Sequence, residues 1–464
     1  MKITLIEPKA PGLHIWSKFR LPRLGPVLLG TILSRRGHDV RVVFEEEAGL
    51  DEQLPGDSDL VGISSITSTA PRAYALADRF RARGIRVLMG GVHPTYLPGE
   101  AIQHADWVLR GEADETIVPL VEAIERGRGF DSVPGLTWTD TDGRVVHNPA
   151  APPVADLDAL PAPDLSLLTP ARHSAWRPGH PSIIPVQTSR GCPYDCSFCS
   201  VTGMFGRRYR FRSTESVLAE LQSLDLHGRH VFFYDDNFTA NPKRTRSLLQ
   251  AMIDRRITPS WSTQVHTDCA RHPDVLDLMK ASGCDTLYIG LESINPRTLA
   301  AFGKNQTIDS MERSLAAIHA RGIDVHGMFV FGGDDDDAST IRQTAQWAKA
   351  QGIATVQFLI LTPLPGTRTY QDLEQQGRLV LRDWSLYDTH HVVYRPRRMS
   401  PQELQLETFK AQGSFYSWGQ IVQRLANGDV VNAAICLYAH NLNRKWLRSH
   451  RDFIRMTRYM DATT

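Results

Sequence analysis

Cys192-Pro193-Tyr194-Asp195-Cys196-Ser197-Phe198-Cys199 gathers three thiols within eight residues, directly after Gly191. Just upstream, residues 183–187 form a short apolar run that reads as a buried strand. Three thiolates on one loop can hold three irons of a [4Fe–4S] cube and leave the fourth iron open to an outside ligand. Zinc is the rival, but a structural zinc site is closed by a fourth protein ligand, and no further Cys or His stands near at finger-like spacing. Three unligated buried thiols are the plainest alternative, and their crowding on a Gly/Pro loop argues against it. Cys269, Cys284 and Cys436 are widely separated and read as small buried hydrophobes.

The strand-like run before the cysteines is the first of a series. Runs at 183–187, 231–234, 261–265, 286–290, 325–331 and 355–361 are separated by helical patterns. Val217, Leu218, Leu221 and Leu224 share one helix face, as do Ile308, Met311, Leu315 and Ile318 before Gly322. Six such units predict a partial (β/α)6 barrel whose functional residues lie at strand C-termini.

Upstream, runs at 3–6, 40–44, 60–64, 86–89 and 107–109 alternate with helices at 25–36, 71–83 and 115–126. That order predicts a doubly wound α/β domain, Rossmann-like in the flavodoxin manner, with its ligand outside the strand C-termini. The residues there include Ser64-Ser65, Gly90-Gly91-Val92-His93-Pro94-Thr95 and Gly111-Glu112. Residues 138–147 read as a hairpin turning at Asp142-Gly143. Pro149, Pro152, Pro153, Pro161 and Pro163 then mark a linker. From about Asp383 the strand pattern fades into a small, mostly helical domain. The expected division is 1–148, a linker at 149–180, the barrel at 181–380, and the helical domain at 381–464.

The chain is 464 residues long and 42% hydrophobic, enough to bury a large core and too apolar for disorder. With 52 basic against 51 acidic side chains there is no field for a phosphate backbone, so nucleic acid is not expected. Six cysteines are too sparse for a disulfide scaffold. The N-terminal MKITLIEP lacks the apolar core of a signal peptide, and no run approaches the about 20 residues of a membrane span. A cytoplasmic protein without a membrane partner is the expectation.

The spacing CxxxCxxC, with Phe198 before the last cysteine, resembles the radical S-adenosylmethionine (SAM) enzymes. The resemblance implies Cys192, Cys196 and Cys199 as cluster ligands, the open iron binding SAM, and reductive cleavage to a 5′-deoxyadenosyl radical that abstracts hydrogen from substrate. Tyr234-Asp235-Asp236-Asn237-Phe238 is similar to the segment that contacts the SAM amino group. Gly290-Leu291-Glu292-Ser293 matches a further polar contact to SAM, while residues 327–333 and 361–367 correspond to later strand-end motifs. The N-terminal half is similar to the cobalamin-binding domain of the B12-dependent branch, which implies cofactor contacts from Gly90, Gly91, His93 and Glu112. The Asp-x-His-x-x-Gly signature that supplies a histidine to cobalt is absent, so both bound cobalamin and a vestigial domain fit these residues.

Other residues carry paired readings. Tyr209, in Arg207-Arg208-Tyr209-Arg210-Phe211-Arg212, is either part of a solvated basic segment or a wall of the active site with a proton to donate. Asp236 is either a capping loop carboxylate or a catalytic group. His266 and Asp268 could meet a polar substrate. Asp334–Asp337 invites a metal but suits the start of a helix near Ser339. The basic residues Arg444, Lys445, Arg448, Arg451, Arg455 and Arg458 read first as the polar face of an amphipathic surface helix, and second as a docking face for an acidic electron donor.

Among reactions, cobalamin-dependent radical C-methylation of a small molecule in specialised metabolism stands first, with flavodoxin- or ferredoxin-type electron supply. Radical 1,2-diol dehydration or rearrangement of a sugar or aminoglycoside is the alternative. An RNA methylthiotransferase fits less well, because no cysteine precedes Cys192 and the C-terminus reads helical.

Overall fold

A computed structural model describes residues 1–12, 21–45, 56–169 and 183–461. Strands β1 (Lys2–Glu7), β2 (Asp39–Phe44), β3 (Leu60–Ser64), β4 (Arg86–Gly90) and β5 (Trp107–Leu109) are mutually parallel. The hairpin β6 (Leu136–Thr139) and β7 (Val145–His147) joins antiparallel beside β5. The strand order is β7-β6-β5-β4-β3-β1-β2-β8, where β8 is Leu168–Thr169. The chain runs first to one side of β1 and then to the other, which makes the β1/β3 crevice a topological switch point. β8 corrects one expectation: the 149–180 stretch was to be a bare linker, yet part of it pairs parallel with β2. Leu165 and Leu168 are buried there, so apolar side chains outweigh the proline signal. Residues 170–180, the rest of that stretch, lie outside the described residues, as do 181–182 of the expected barrel.

The second sheet runs in sequence order: β9 (Ile183–Val186), β12 (His230–Phe233), β13 (Ser260–Val265), β14 (Cys284–Glu292), β15 (Asp324–Phe331) and β16 (Thr355–Ile360). Every neighbouring pair is parallel, and the sheet is open, a six-stranded partial barrel. Two short strands, β10 (Ser189–Arg190) and β11 (Arg210–Phe211), pair antiparallel at its first edge. The strands are apolar because helices cover them from outside, as parallel sheets require. Trp261, Phe233, Phe329 and Phe358 are among the largest fully buried side chains or nearly so.

Beyond β16 the chain is helical: Pro401–Phe415, Trp418–Ala426, Val430–Ser449 and Arg451–Met456. The first begins in a capping box between Ser400 and Glu403, with proline at its first position. Tyr416 pins this region to the barrel: its hydroxyl accepts from Val356 N at 2.8 Å and donates to Val356 O at 2.7 Å. The three solitary cysteines, Cys269, Cys284 and Cys436, are buried, as small hydrophobes should be.

Candidate active site

The cysteine loop leaves β10, and Gly191 is what permits its course. With φ +86°, a Cβ there would stand 2.7 Å from Arg208 O. The loop is then fastened at its middle, where Ser197 N donates to Phe302 O (3.1 Å) and Thr369 N donates to Ser197 O (3.0 Å). Phe198 sets its ring edge-on against Phe302 at 5.0 Å, so the aromatic residue of the motif serves packing of the loop. Burial pushes the thiols of Cys192 and Cys196 up, and that of Cys199 to about 12. They become thiolates only with strong positive charge beside them, as iron supplies. Among the described residues no three His, Cys, Asp or Glu side chains gather around one point where a single ion would sit. Thiolates of a cube each hold a different iron and need no such convergence.

At the end of β12 the two aspartates part ways. Asp235 is buried and turned toward backbone: it accepts from Thr188 N at 2.7 Å, from Ser189 N at 3.0 Å and from the Thr188 hydroxyl. Its oxygens are taken up in holding the strand that leads into the cysteine loop, so an expected direct cofactor contact gives way to a positioning role. Asp236 faces a cavity, and burial together with the Asp235 charge raises its pKa to about 6. Asn237 Nδ2, Ser189 Oγ and Tyr209 Oη are buried without partners, three hydrogen-bonding groups around one strand end whose capacity the chain leaves unspent. That surplus fits an amino-acid-like ligand. Tyr209 sits next to β11, its phenol held protonated above its ordinary range by burial.

At the end of β14 the register shifts between Gly290 and Glu292, and Glu292 takes φ +61°. Its carboxylate meets Lys304 Nζ at 2.9 Å, both nearly buried. Burial opposes the Lys304 charge, but Glu292 and the thiols of Cys196 and Cys199 outweigh it, so the ammonium keeps its proton more firmly than usual. A Cβ on Gly290 would stand 2.5 Å from Glu292 Oε1, so the Glu292 side chain would have to move to admit one. Lys304 stands in no motif of the sequence, and only the fold brings it to Glu292.

Between the two sheets lies a cavity of about 330 Å³. From the first sheet it takes Leu5, Gly62, Ser65, Gly90, Gly91 and Gly111, and from the second Tyr234 and Asp236. Gly91 is at φ +94°, and a Cβ would lie 2.6 Å from Ser65 O. Ser65 Oγ and Arg23 Nη1 are buried and unpartnered beside it. No histidine lines this cavity among the described residues. A glycine-edged, largely apolar crevice with a few unspent donors fits a large ring cofactor held without histidine ligation.

Two expected cofactor contacts have their polar atoms engaged by other side chains. His93 is fully buried away from the cavity, its Nε2 3.1 Å from Tyr74 Oη and its ring edge-on to Trp384 at 5.2 Å. Glu112 touches the cavity wall, but its carboxylate is spent in a buried bracket. It accepts from Arg190 Nη1 at 3.0 Å and from both terminal nitrogens of Arg210, and Asp114 completes Arg190 with contacts of 2.7 and 3.1 Å. Arg190 immediately precedes the cysteine loop, so the first sheet holds the second by charge at that point. Tyr96 holds it by shape. Its ring lies where Cβ atoms on Gly203 and Gly366 would come within 2.0 and 2.1 Å, and its hydroxyl donates to Ser200 O at 3.3 Å.

The remaining candidates lie away from that cavity, and His266 and Asp268 line a second one with Tyr194. His266 stacks on Tyr194 at 4.3 Å, and Tyr194 Oη donates to Asp268. In the acidic run, Asp337 caps the next helix through Thr340 N (2.9 Å), Asp336 accepts from Gly332 N and Gly333 N, and Asp334 pairs with Arg378 and Arg397.

Comparison with known proteins matches these two sheets separately. The Radical SAM superfamily model covers residues 186–348, and the B12 binding domain model covers residues 15–121. An uncharacterized methyltransferase of Pyrococcus horikoshii is 32% identical over 412 residues, 85% of this chain and 88% of the relative. A bacteriochlorophyllide d C-12(1)-methyltransferase of Chlorobaculum tepidum is 29% identical over 91% of this chain and 89% of its own. A solved radical SAM methyltransferase, TsrM of Kitasatospora setae with cobalamin and a [4Fe–4S] cluster bound, shares the fold at TM-score 0.64 and 20% identity, over 81% of this chain and 78% of that one.

Proposed function

Because this chain belongs to the radical SAM superfamily, in the branch that carries an N-terminal B12-binding domain, we propose that it methylates a carbon of a small molecule. The observation that carries the reading is the shared cavity: Asp236 and Tyr234, from the strand beside the cysteine loop, face Gly90 and Gly91 across it. When bound, a [4Fe–4S] cluster, SAM and cobalamin supply reductive cleavage of SAM, hydrogen abstraction and a transferable methyl group.

The chain's own residues do the rest. Cys192, Cys196 and Cys199 would hold the cluster, and the Gly290 bulge sets the buried Glu292–Lys304 ion pair beside that loop. Asn237 and Ser189 offer unspent hydrogen bonds for the amino-acid part of SAM. Gly90 and Gly91 let the corrinoid approach backbone directly. Asp236 holds or releases a proton at the cavity wall, and Tyr209 keeps a phenolic proton near the cysteine strand. A flavodoxin- or ferredoxin-type donor supplies the electron, in the reducing cytoplasm where free thiols persist.

Protein reconstituted anaerobically should show one cluster and form 5′-deoxyadenosine from SAM under reduction. Protein from B12-supplied cells should carry the corrinoid spectrum and yield a product heavier by one CH2. Cleavage retained in the triple cysteine-to-alanine variant overturns the cluster assignment, and a product lighter by one water overturns methylation in favour of elimination.

A further inference from the structure

Large apolar side chains left exposed are concentrated in one part of this molecule. Of the ten among the described residues, eight fall between Trp418 and Tyr459. Six of them sit on a helix hairpin. Trp418, Val422 and Leu425 recur at spacings of four and three on the Trp418–Ala426 helix, and Val430, Val431 and Leu437 lie on the Val430–Ser449 helix. Their exposures run from 38% at Leu437 to 72% at Val431. The Trp418 ring is 5.5 Å from that of His440, which joins the two exposed stripes into one surface. A soluble surface scatters such residues singly, so a contiguous patch marks contact with something apolar.

The long helix adds a second feature. Val430, Ala434, Leu437, Asn441, Arg444 and Arg448 recur at three- and four-residue steps and are all exposed, so one face passes from apolar to basic along its length. Lys445 stands beside Arg444, and none of Arg444, Lys445 and Arg448 pairs with a carboxylate among the described residues. Between residues 430 and 460 there are six basic side chains and a single acid, Asp452, in a chain whose total net charge is +1. Among the described residues no helix is long and apolar enough to cross a membrane.

We propose that this hairpin face seats on the surface of an anionic lipid bilayer, lying in the headgroup plane with Trp418, Val422, Leu425 and Val431 buried in it. The basic end of the face selects this occupant. An exposed apolar stripe continued by unpaired cations matches acyl chains below and anionic headgroups beside them. A second copy of this chain in an antiparallel two-fold contact would instead set the cations of Arg444, Lys445 and Arg448 against an apolar helix end whose first turn offers them no counter-charge. The protein so placed lies on the membrane without spanning it, which revises the expectation that no membrane is involved.

The test is flotation of the full chain with vesicles of phosphatidylcholine alone or with added phosphatidylglycerol. Wild type should float with the anionic vesicles, about tenfold less with neutral ones, and should be released by salt. The Val422→Asp/Leu425→Asp/Val431→Asp variant should stay behind with its melting curve unchanged, since all three positions are exposed. A second variant, Arg444→Glu/Lys445→Glu/Arg448→Glu, should lose the preference for anionic lipid. Failure of wild type to float, or flotation of either variant with anionic vesicles equal to that of wild type, overturns the proposal. So does light scattering that finds a wild-type dimer which the triple aspartate variant converts to monomer.

Discussion

At the carboxyl ends of the first sheet the chain offers glycine backbone, and at those of the second it offers thiols and charge. Gly62, Gly90, Gly91 and Gly111 line the cavity on one side, whereas the other sheet brings the cysteine loop, Asp236, Asn237 and the Glu292–Lys304 pair to its own strand ends. Both sheets use the same α/β rule for where a ligand goes. They differ in how they would hold it: one by close approach of backbone to a broad surface, the other by directed polar contacts and metal ligation. The two holdings are joined by the Glu112 bracket and the Tyr96 wedge, so they can be separated experimentally only by touching one region at a time.

The largest effect should come from the cysteines. Replacing any one of Cys192, Cys196 or Cys199 with alanine should abolish the cluster and SAM cleavage, while corrinoid content after growth with B12 stays near that of wild type. Iron, sulfide and corrinoid measured on the same preparation check this. Loss of both cofactors together would mean that the two regions fold around their ligands as one.

Next is the joint itself. Glu112→Ala leaves two buried guanidinium groups short of a partner, a change that costs about 3–5 kcal/mol. Arg126→Ala breaks only an exposed pair with Glu122 and should cost under about 0.5 kcal/mol. Urea unfolding of the two variants side by side measures the difference.

The glycines should separate the regions more finely. At Gly91 a new Cβ meets backbone, Ser65 O, at positive φ; strain and overpacking together amount to about 2–4 kcal/mol. At Gly290 it meets the ends of two flexible side chains, Glu292 and Lys304, which can swing aside. Gly91→Ala should therefore lose more stability and most of its corrinoid, and Gly290→Ala should keep its corrinoid but lose SAM affinity. Unfolding curves and corrinoid content after growth with B12 distinguish them.

Much of this was legible in the chain. The strand runs at 40–44, 286–290 and 325–331 recur in β2, β14 and β15 to within two residues at each end, because parallel strands buried on both faces must be continuously apolar. The cysteine loop announced itself by spacing alone. What stayed hidden depends on partners far away in sequence. Glu112 reads as a strand-end ligand until Arg190 and Arg210 arrive 78 and 98 residues later. His93 reads as a cofactor contact because it follows two glycines, yet the turn buries it against Tyr74. Tyr96 carries no local signal at all: its role exists only because Gly203 and Gly366 leave room for it.

Asp236 is where the two regions meet, since it belongs to the second sheet and faces the first sheet's cavity. Its pKa is raised from 3.8 to about 6 by burial and by the neighbouring charge of Asp235. In protein prepared without iron and corrinoid, the native state therefore keeps this proton over a range in which the unfolded chain has released it. Where the native state binds more protons, stability falls as pH rises. The contribution is fully present below about pH 4 and is lost by about pH 6, on the order of 3 kcal/mol in all. Asp236→Asn cannot titrate, so its stability relative to wild type should rise across that interval and level off above it. Asp235→Asn should behave differently, because its carboxylate accepts three hydrogen bonds around Thr188 and Ser189, and an amide cannot accept them all. That variant should lose stability at every pH. Urea unfolding at half-unit steps from pH 4 to 7 decides between the two. A flat difference for Asp236→Asn would mean that the cavity wall is wet enough to carry an ordinary carboxylate, and that the two regions are less tightly closed on each other than their packing implies.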